Sequence, residues 1–229
     1  MTPRGKLYLV GTPIGNLEDI SLRSVRVLRE VDAIYAEDTR TSSQLLHHHG
    51  IHKPLVSHHE HNEAARSLEI VRRLEAGDNI AIITDAGSPA ISDPGFRAVR
   101  AVIEAGGQPE VVPGPCAIIA ALSASGLASH AFYFGGFLPK KSGARERVLA
   151  ELSERPETLI FYESCHRIPQ ALESVRSALG ERRVVLAREL TKKFEEFLRG
   201  TPAELLKHFE KRAARGEFVL LIAGASESE

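Results

Sequence analysis

Seven short apolar runs constrain this chain more than any other feature. They occupy 7–10, 33–36, 80–84, 110–112, 158–162, 183–187 and 218–222, and within them the apolar residues are continuous rather than alternating. A strand with one wet face alternates; a continuous run needs both faces covered, as in a largely parallel sheet flanked by helices. The segments between supply those helices, because 22–31, 63–76, 96–105, 144–152, 168–179 and 202–215 carry apolar residues at helical spacing. Strands and helices alternating in this way predict a layered α/β fold.

Local punctuation fixes several ends. Asn62 is placed to cap the helix over 63–76, and Gly77 to end it. Thr201 and Glu204 form a capping box with Pro202 at the first helical position, and Gly216 is expected to close that helix. A chain of 229 residues accommodates two small α/β domains. The small-residue helix over 117–125, terminated by Gly126, marks the boundary region, giving a first domain over 1–118 and a second over 119–229. Residues 135–143 are too rich in Gly, Pro and Lys for a strand interior and read as a functional or connecting loop.

Charge and cysteine content narrow the function classes. The 29 basic side chains against 30 acidic ones leave no global field to attract nucleic acid, so any RNA contact must come from a local patch. Cys116 and Cys165 make neither a close metal pair nor a disulfide scaffold, which favours a reducing compartment, and no structural zinc is expected. The apolar run at 7–10 is far shorter than a signal peptide's core, and nothing approaches the roughly 18 apolar residues of a membrane span. The expectation is a cytoplasmic protein with no membrane partner.

Three Gly/Pro loops follow predicted strands: Gly11-Thr12-Pro13-Ile14-Gly15-Asn16, Asp85-Ala86-Gly87-Ser88-Pro89 and Pro113-Gly114-Pro115-Cys116-Ala117. In open α/β sheets ligands sit beyond the carboxyl ends of the strands, where glycine admits close approach and proline stiffens the turn. The first loop lacks the spacing of a dinucleotide fingerprint, and Gly5-Lys6-Leu7 lacks the rest of a phosphate loop. Hydride transfer and triphosphate hydrolysis are therefore disfavoured.

The ordered set Val10–Leu17, Ala36-Glu37-Asp38-Thr39-Arg40, His59-Glu60-His61-Asn62-Glu63, Thr84 through Gly95, Val112-Pro113-Gly114-Pro115, Phe137-Leu138-Pro139, Phe161-Tyr162-Glu163 with His166-Arg167, and Arg188-Glu189-Leu190-Thr191-Lys192 is distinctive as a combination. It resembles the small-subunit ribosomal RNA cytidine 2′-O-methyltransferase subfamily of the tetrapyrrole-methylase-like superfamily, from about Leu7 to Gly224. The resemblance implies a largely parallel N-terminal sheet and a mixed-sheet C-terminal domain closing a cleft for S-adenosylmethionine. It also implies a homodimer acting on 16S rRNA in the small ribosomal subunit. Carried over residue by residue, it assigns Pro13, Asp85, Ser88, Ile91, Cys116, Ala117, Tyr162 and Leu190 to the cofactor.

The acceptor, a ribose hydroxyl, is a weak acid that a nearby base assists. Glu37, Asp38, Glu163, Glu189 and Glu195 are the acidic choices, and Glu37, Asp38, Glu189 and Lys192 are placed nearest the chemistry because their segments follow strands. Arg40, His59, Asn62, Arg167 and Arg188 are assigned to substrate. A domain-interface salt-bridge network is the bland alternative for the charged segments. The histidines at 47–49, 52, 58, 59 and 61 lack His-Glu-x-x-His spacing, so no metal is expected. Two other functions use the same cofactor: methylation of a tetrapyrrole-like small molecule, and non-catalytic RNA binding that responds to S-adenosylmethionine.

Overall fold

The computed structural model describes residues 5–225. The chain divides between Cys116 and Ala117 into two compact units.

The first unit is built on five strands, β1 (Leu7–Val10), β2 (Ala33–Ala36), β3 (Leu55–Ser57), β4 (Ile80–Ile83) and β5 (Glu110–Val112). They lie in the order β3-β2-β4-β1-β5, and every neighbouring pair is parallel. Successive side chains leave opposite faces of a strand, so β4 sends Ile80 and Ile82 into one cluster and Ala81 and Ile83 into another. Helices α1 (Leu22–Glu30) and α2 (Thr39–His48) contribute Val27, Leu28 and Leu46 to the second cluster. Helices α3 (Glu63–Glu75) and α4 (Phe96–Glu104) contribute Ile70, Leu74, Ala98 and Val102 to the first. Both faces are thus covered, which is why the runs read as continuous.

The second unit opens with α5 (Ala117–Ser125), which packs on strands β8 (Val184–Arg188) and β10 (Glu217–Ile222). With β6 (Phe132–Phe137), β7 (Thr158–Ser164) and β9 (Glu196–Gly200), these strands form a sheet of order β6-β7-β10-β8-β9. Only β6 and β7 are parallel; the other neighbours are antiparallel. Helices α6 (Ser142–Glu151), α7 (Ile168–Leu179) and α8 (Pro202–Lys211) bring Leu149, Leu172, Val175 and Leu205 to a core with Leu159, Phe161, Leu186 and Leu220. The arrangement is the two-domain α/β fold expected, with a parallel first sheet and a mixed second one.

Several local expectations need correction. The division falls two residues before the expected 118/119, so that the whole of α5 lies in the second unit, where its partners are β8 and β10 and Arg199 donates to the carbonyls of Ala124 and Ser125 at its end. Residues 135–137 are strand, with a register shift after Phe134. Gly135 is required there because a Cβ would come within 2.3 Å of the Phe161 ring. Asn62 precedes α3 but makes no capping bond; its Oδ1 accepts from the His59 amide at 2.9 Å and its Nδ2 donates to Ser57 O at 3.2 Å. Helix α8 ends at Lys211, and Gly216 instead leads into β10. The capping box of Thr201 and Glu204 is present as read. Among the described residues no helix is long and apolar enough to cross a membrane.

Candidate functional site

Parallel strands all end on one side of their sheet, and here each end carries one of the sequence motifs. In sheet order these are His58–His61 after β3, Glu37–Arg40 after β2, Thr84–Gly95 after β4, Gly11–Asn16 after β1 and Pro113–Cys116 after β5. Because β4, β1 and β5 are neighbours, the three Gly/Pro loops stand side by side.

They are joined through their backbones. Thr12 N donates to Gly87 O at 2.9 Å and Gly87 N to Thr12 O at 3.2 Å, while the fully buried Thr12 hydroxyl reaches Thr84 O at 3.1 Å. On the other side Gly11 and Gly114 meet so closely that a Cβ on Gly11 would lie 2.7 Å from Gly114 N. Pro13, Asp85, Ser88, the exposed Ile91 and Cys116 all ride on these loops, so the first-unit residues assigned to the cofactor share one strand-end edge. Ala90 and Ser92 hold positive φ angles of 68° and 63°. Backbone strain of this kind clusters at ligand sites and costs on the order of 1–3 kcal/mol per residue.

The same edge concentrates carboxylates. Burial and then repulsion from Asp85 raise Glu37. Burial also raises Asp85, whose Oδ1 accepts from the Asp38 amide at 3.1 Å. The largest displacement falls on Asp93, pushed up to about 7 by burial and then by Glu37, although a hydrogen bond from Thr84 opposes it. Sequence reasoning passes over Asp93 because a residue before proline in a turn carries no catalytic signal of its own; its proximity to Glu37 exists only once β2 and β4 pair. Asp38 differs from its neighbours, since it caps α2 through the Arg40 amide at 2.8 Å and pairs with the Arg40 guanidinium. Those bonds to Arg40 hold Asp38 down to about 2, too weak a base for a hydroxyl proton.

The motif at the end of β3 is largely structural. Glu63 Oε1 accepts from Gly95 N at 2.8 Å and Arg97 N at 3.0 Å, capping α4 from a distance because Gly95 has no side chain. Asn62 is committed to His59 and Ser57, leaving the half-buried His59 ring beside it, with Nε2 3.3 Å from Asn62 Nδ2. Arg40 remains exposed.

In the second unit the assigned arginines are occupied. Arg167 donates to the carbonyls of Leu138 and Pro139 and pairs with the buried Glu163 at 3.2 Å. The buried Arg145 donates to Ser174 Oγ at 2.8 Å, Gln170 O at 3.1 Å, and Pro139 O and Lys140 O at 3.4 Å. Two guanidinium groups thus pin the 138–140 loop. Arg188 donates to Arg215 O and pairs with Glu196 at 3.3 Å. Lys192 Nζ lies between Glu217 at 2.7 Å and Glu189 at 3.1 Å. Burial favours losing its proton, but those two carboxylates outweigh it and raise Lys192. For Glu189 burial is likewise outweighed, here by the Glu217 amide and Lys192, so its carboxyl lies low. Lys192 is thus a held cation and Glu189 its counter-ion. Tyr162 packs edge-on against Phe134 at 5.1 Å and near Phe137 at 5.6 Å, and Leu190 is buried in the turn after β8. Among the described residues no cluster of His, Cys, Asp and Glu is placed to hold a metal.

Residues 6–206 match the tetrapyrrole (corrin/porphyrin) methylases. The chain is 50% identical over 224 residues to ribosomal RNA small subunit methyltransferase I of Pseudomonas aeruginosa, covering 96% of this chain and 79% of that protein. It is 45% identical over 225 residues to the protein of the same name from Bacillus subtilis, covering 98% and 77%. This chain belongs to that family. Its members draw the methyl group from S-adenosylmethionine. Among solved structures, the uroporphyrin-III-C-methyltransferase of Thermus thermophilus superposes with a TM-score of 0.65 over 97% of this chain and 96% of that one at 21% identity, which speaks to the fold. The family is therefore evident at two depths, the methylase fold and the ribosomal branch.

Proposed function

We propose that the protein transfers a methyl group from S-adenosylmethionine to the ribose 2′-oxygen of a cytidine in 16S rRNA of the small ribosomal subunit. The observation that carries this reading is the stitched strand-end edge in a chain 45–50% identical to ribosomal RNA small subunit methyltransferases I. The edge fits the donor chemically: proline and isoleucine offer apolar contact, loop amides and Ser88 offer donors, and the carboxylates suit a ligand bearing ammonium and sulfonium charge. Pro13, Asp85, Ser88, Ile91 and Cys116 are the first-unit residues that would hold it, and the family resemblance assigns Ala117, Tyr162 and Leu190 of the second unit to the same ligand.

When bound, the donor supplies a methyl carbon activated by its sulfonium, so the protein's task is alignment and removal of one proton. Glu37, Asp85 and Asp93 are all raised at this edge; with Asp85 assigned to the donor, we assign proton acceptance to Glu37 and Asp93. Asp38 instead holds Arg40 and the start of α2, while Arg40 meets RNA phosphate. Lys192 and Glu189 fix the turn after β8 rather than moving protons. The working form is a homodimer in the cytoplasm, where its ribosomal substrate is assembled.

Incubating the protein with labelled S-adenosylmethionine and unmodified small subunits, followed by nuclease digestion and mass spectrometry, tests the reaction. The expected product is a ribose-methylated cytidine whose 3′ phosphodiester resists alkali, because the 2′-oxygen can no longer attack it. A methyl on a base, or transfer only to a small molecule such as a tetrapyrrole, overturns the assignment. Saturable cofactor binding with no transfer to any RNA selects the non-catalytic alternative.

A further inference from the structure

The second unit contains an open groove of about 450 Å³ that the methyl-transfer reading leaves unused. Its size falls in the range of small-ligand sites, roughly 300–1,000 Å³. Leu198 on β9 and Phe209 on α8 line its apolar part, and Phe209 is itself packed edge-on against Phe218 at 6.1 Å. Around them stand Arg188, Arg212 and Arg215, with Glu196 as the facing carboxylate.

Those charges are unequally committed. Glu196 is shared by Arg188 at 3.3 Å and Arg212 at 3.9 Å. Arg188 is further tied to the carbonyls of Arg215 and Phe194, which makes it a wall of the groove. The Arg212 side chain is 74% exposed, and the Arg215 guanidinium makes no ion pair among the described residues. Three guanidinium groups facing one carboxylate leave the groove cationic.

An aromatic ring stands at its edge. Phe194 is 63% exposed, the Lys193 ammonium lies 5.7 Å from its ring centre, and the turn that carries it is held open to water at a cost. Glu189 and Thr191 adopt positive φ angles of 49° and 64° in that turn. The conformation is fixed by Thr191 N donating to Glu195 Oε2 at 2.6 Å, by Lys192 N to Glu189 O at 3.0 Å, and by the Lys192 ion pairs. The turn buries Leu190 yet leaves the Phe194 ring in solvent, and strained backbone of this kind clusters at ligand sites. An exposed aromatic ring beside Arg215 and the loosely paired, exposed Arg212 is the chemistry that binds unpaired nucleotides, by stacking and phosphate pairing.

We propose that this groove binds a single-stranded segment of RNA, with one unpaired base stacked on Phe194 and the adjoining phosphates on Arg212 and Arg215. The proposal rests on the reading of the protein as an rRNA methyltransferase, and it names where on the second unit the substrate strand is gripped. A duplex has its base faces covered and fits this chemistry poorly.

Fluorescence anisotropy of a short labelled single-stranded RNA with the full-length protein tests the groove directly, with the same RNA annealed to its complement as the comparison. Wild type should prefer the single strand. Arg212→Glu with Arg215→Glu should weaken binding by about tenfold or more and lower the slope of log affinity against log salt by about 1–2. Phe194→Leu should weaken binding about tenfold with the slope unchanged, whereas Phe194→Tyr, which keeps a ring, should restore it. Circular dichroism and calorimetric affinity for S-adenosylmethionine should match wild type in all three variants. Equal RNA affinity in the folded variants, equal affinity for duplex, or equal loss in the Leu and Tyr variants overturns the proposal. Single-strand binding that follows this pattern in a protein that methylates no ribosomal RNA leaves the groove standing and removes the functional reading instead.

Discussion

The two units use polar residues in opposite ways. In the first, five parallel strands end on one edge, and the side chains gathered there, Glu37, Asp85 and Asp93, repel one another and keep their protons more readily than usual. In the second, most of the charges are neutralised in place, Glu189 and Glu217 by Lys192 and Glu196 by Arg188, whereas burial still raises Glu163 beside Arg167. A parallel sheet delivers its loops to one side through covering helices, so the loops brace each other through backbone bonds and leave side chains available. The mixed second sheet has strands running both ways and so has connections at both ends, and here the charged side chains near them are paired with one another. The first arrangement leaves carboxylates available to the chemistry we propose, and the second ties its charges to one another.

The largest test of this contrast is Arg145→Met. It deprives Ser174 and the Pro139, Lys140 and Gln170 carbonyls of their donor, and we expect a loss of about 4 kcal/mol of stability. Native-state hydrogen exchange should show protection falling in β6, β7 and α6 while β1 and β4 keep theirs. Equal loss in both sheets would mean that the units do not open separately.

A second comparison concerns how helices start. Helix α8 is capped by its own Thr201, whereas α4 is capped by Glu63, more than thirty residues earlier. Glu63→Ala should cost about 3 kcal/mol, because the buried Gly95 amide and the part-buried Arg97 amide lose their shared carboxylate acceptor. Thr201→Ala should cost about 1 kcal/mol. Urea midpoints with unchanged slopes measure both, and a smaller cost for Glu63 would deny the first unit its long-range brace.

The smallest signal is a change in pH dependence. Asp93 is raised by folding from 3.8 to about 7, so its favourable contribution is present below the unfolded value and lost as pH rises through the folded one. The first unit should therefore lose stability between about pH 4 and pH 7, and Asp93→Asn should flatten that slope. Glu37 and Asp85 are displaced in the same direction, so a shallower slope should persist. Denaturant midpoints across that interval decide it, and identical slopes in wild type and variant would remove Asp93 from the pair.

What the sequence reveals, and what it hides, divides along the same physical line. Strands β1, β2 and β4 are legible because burial on both faces leaves continuous apolar runs, while the edge strand β5, with Val111 exposed, is legible from its paired valines and the Pro-Gly loop after them. Strand β3, with only Leu55, Val56 and Ser57 half-buried at the sheet edge, leaves too weak a pattern, and β9 mixes Glu196 and Arg199 with apolar residues as edge strands do. Helix α2 is hidden by its Thr and Ser content, whose side chains compete for backbone bonds in other conformations. The loops of the site are recognisable from glycine, proline and motif order. The commitments of individual charges are not: the clamps of Arg167 and Arg188 and the internal bonds of Asn62 depend on which carbonyls the fold brings near, and no spacing along the chain encodes that.

The contact between Gly11 and Gly114, with the paired bonds of Thr12 and Gly87, makes the loops after β1, β4 and β5 a single plate instead of three flaps. None can swing without parting from another, so the cofactor, if it binds where we propose, has no partial opening of this edge to use. Variants that loosen the plate should lose the ligand outright rather than trade it faster, and selection for speed must act on residues outside it.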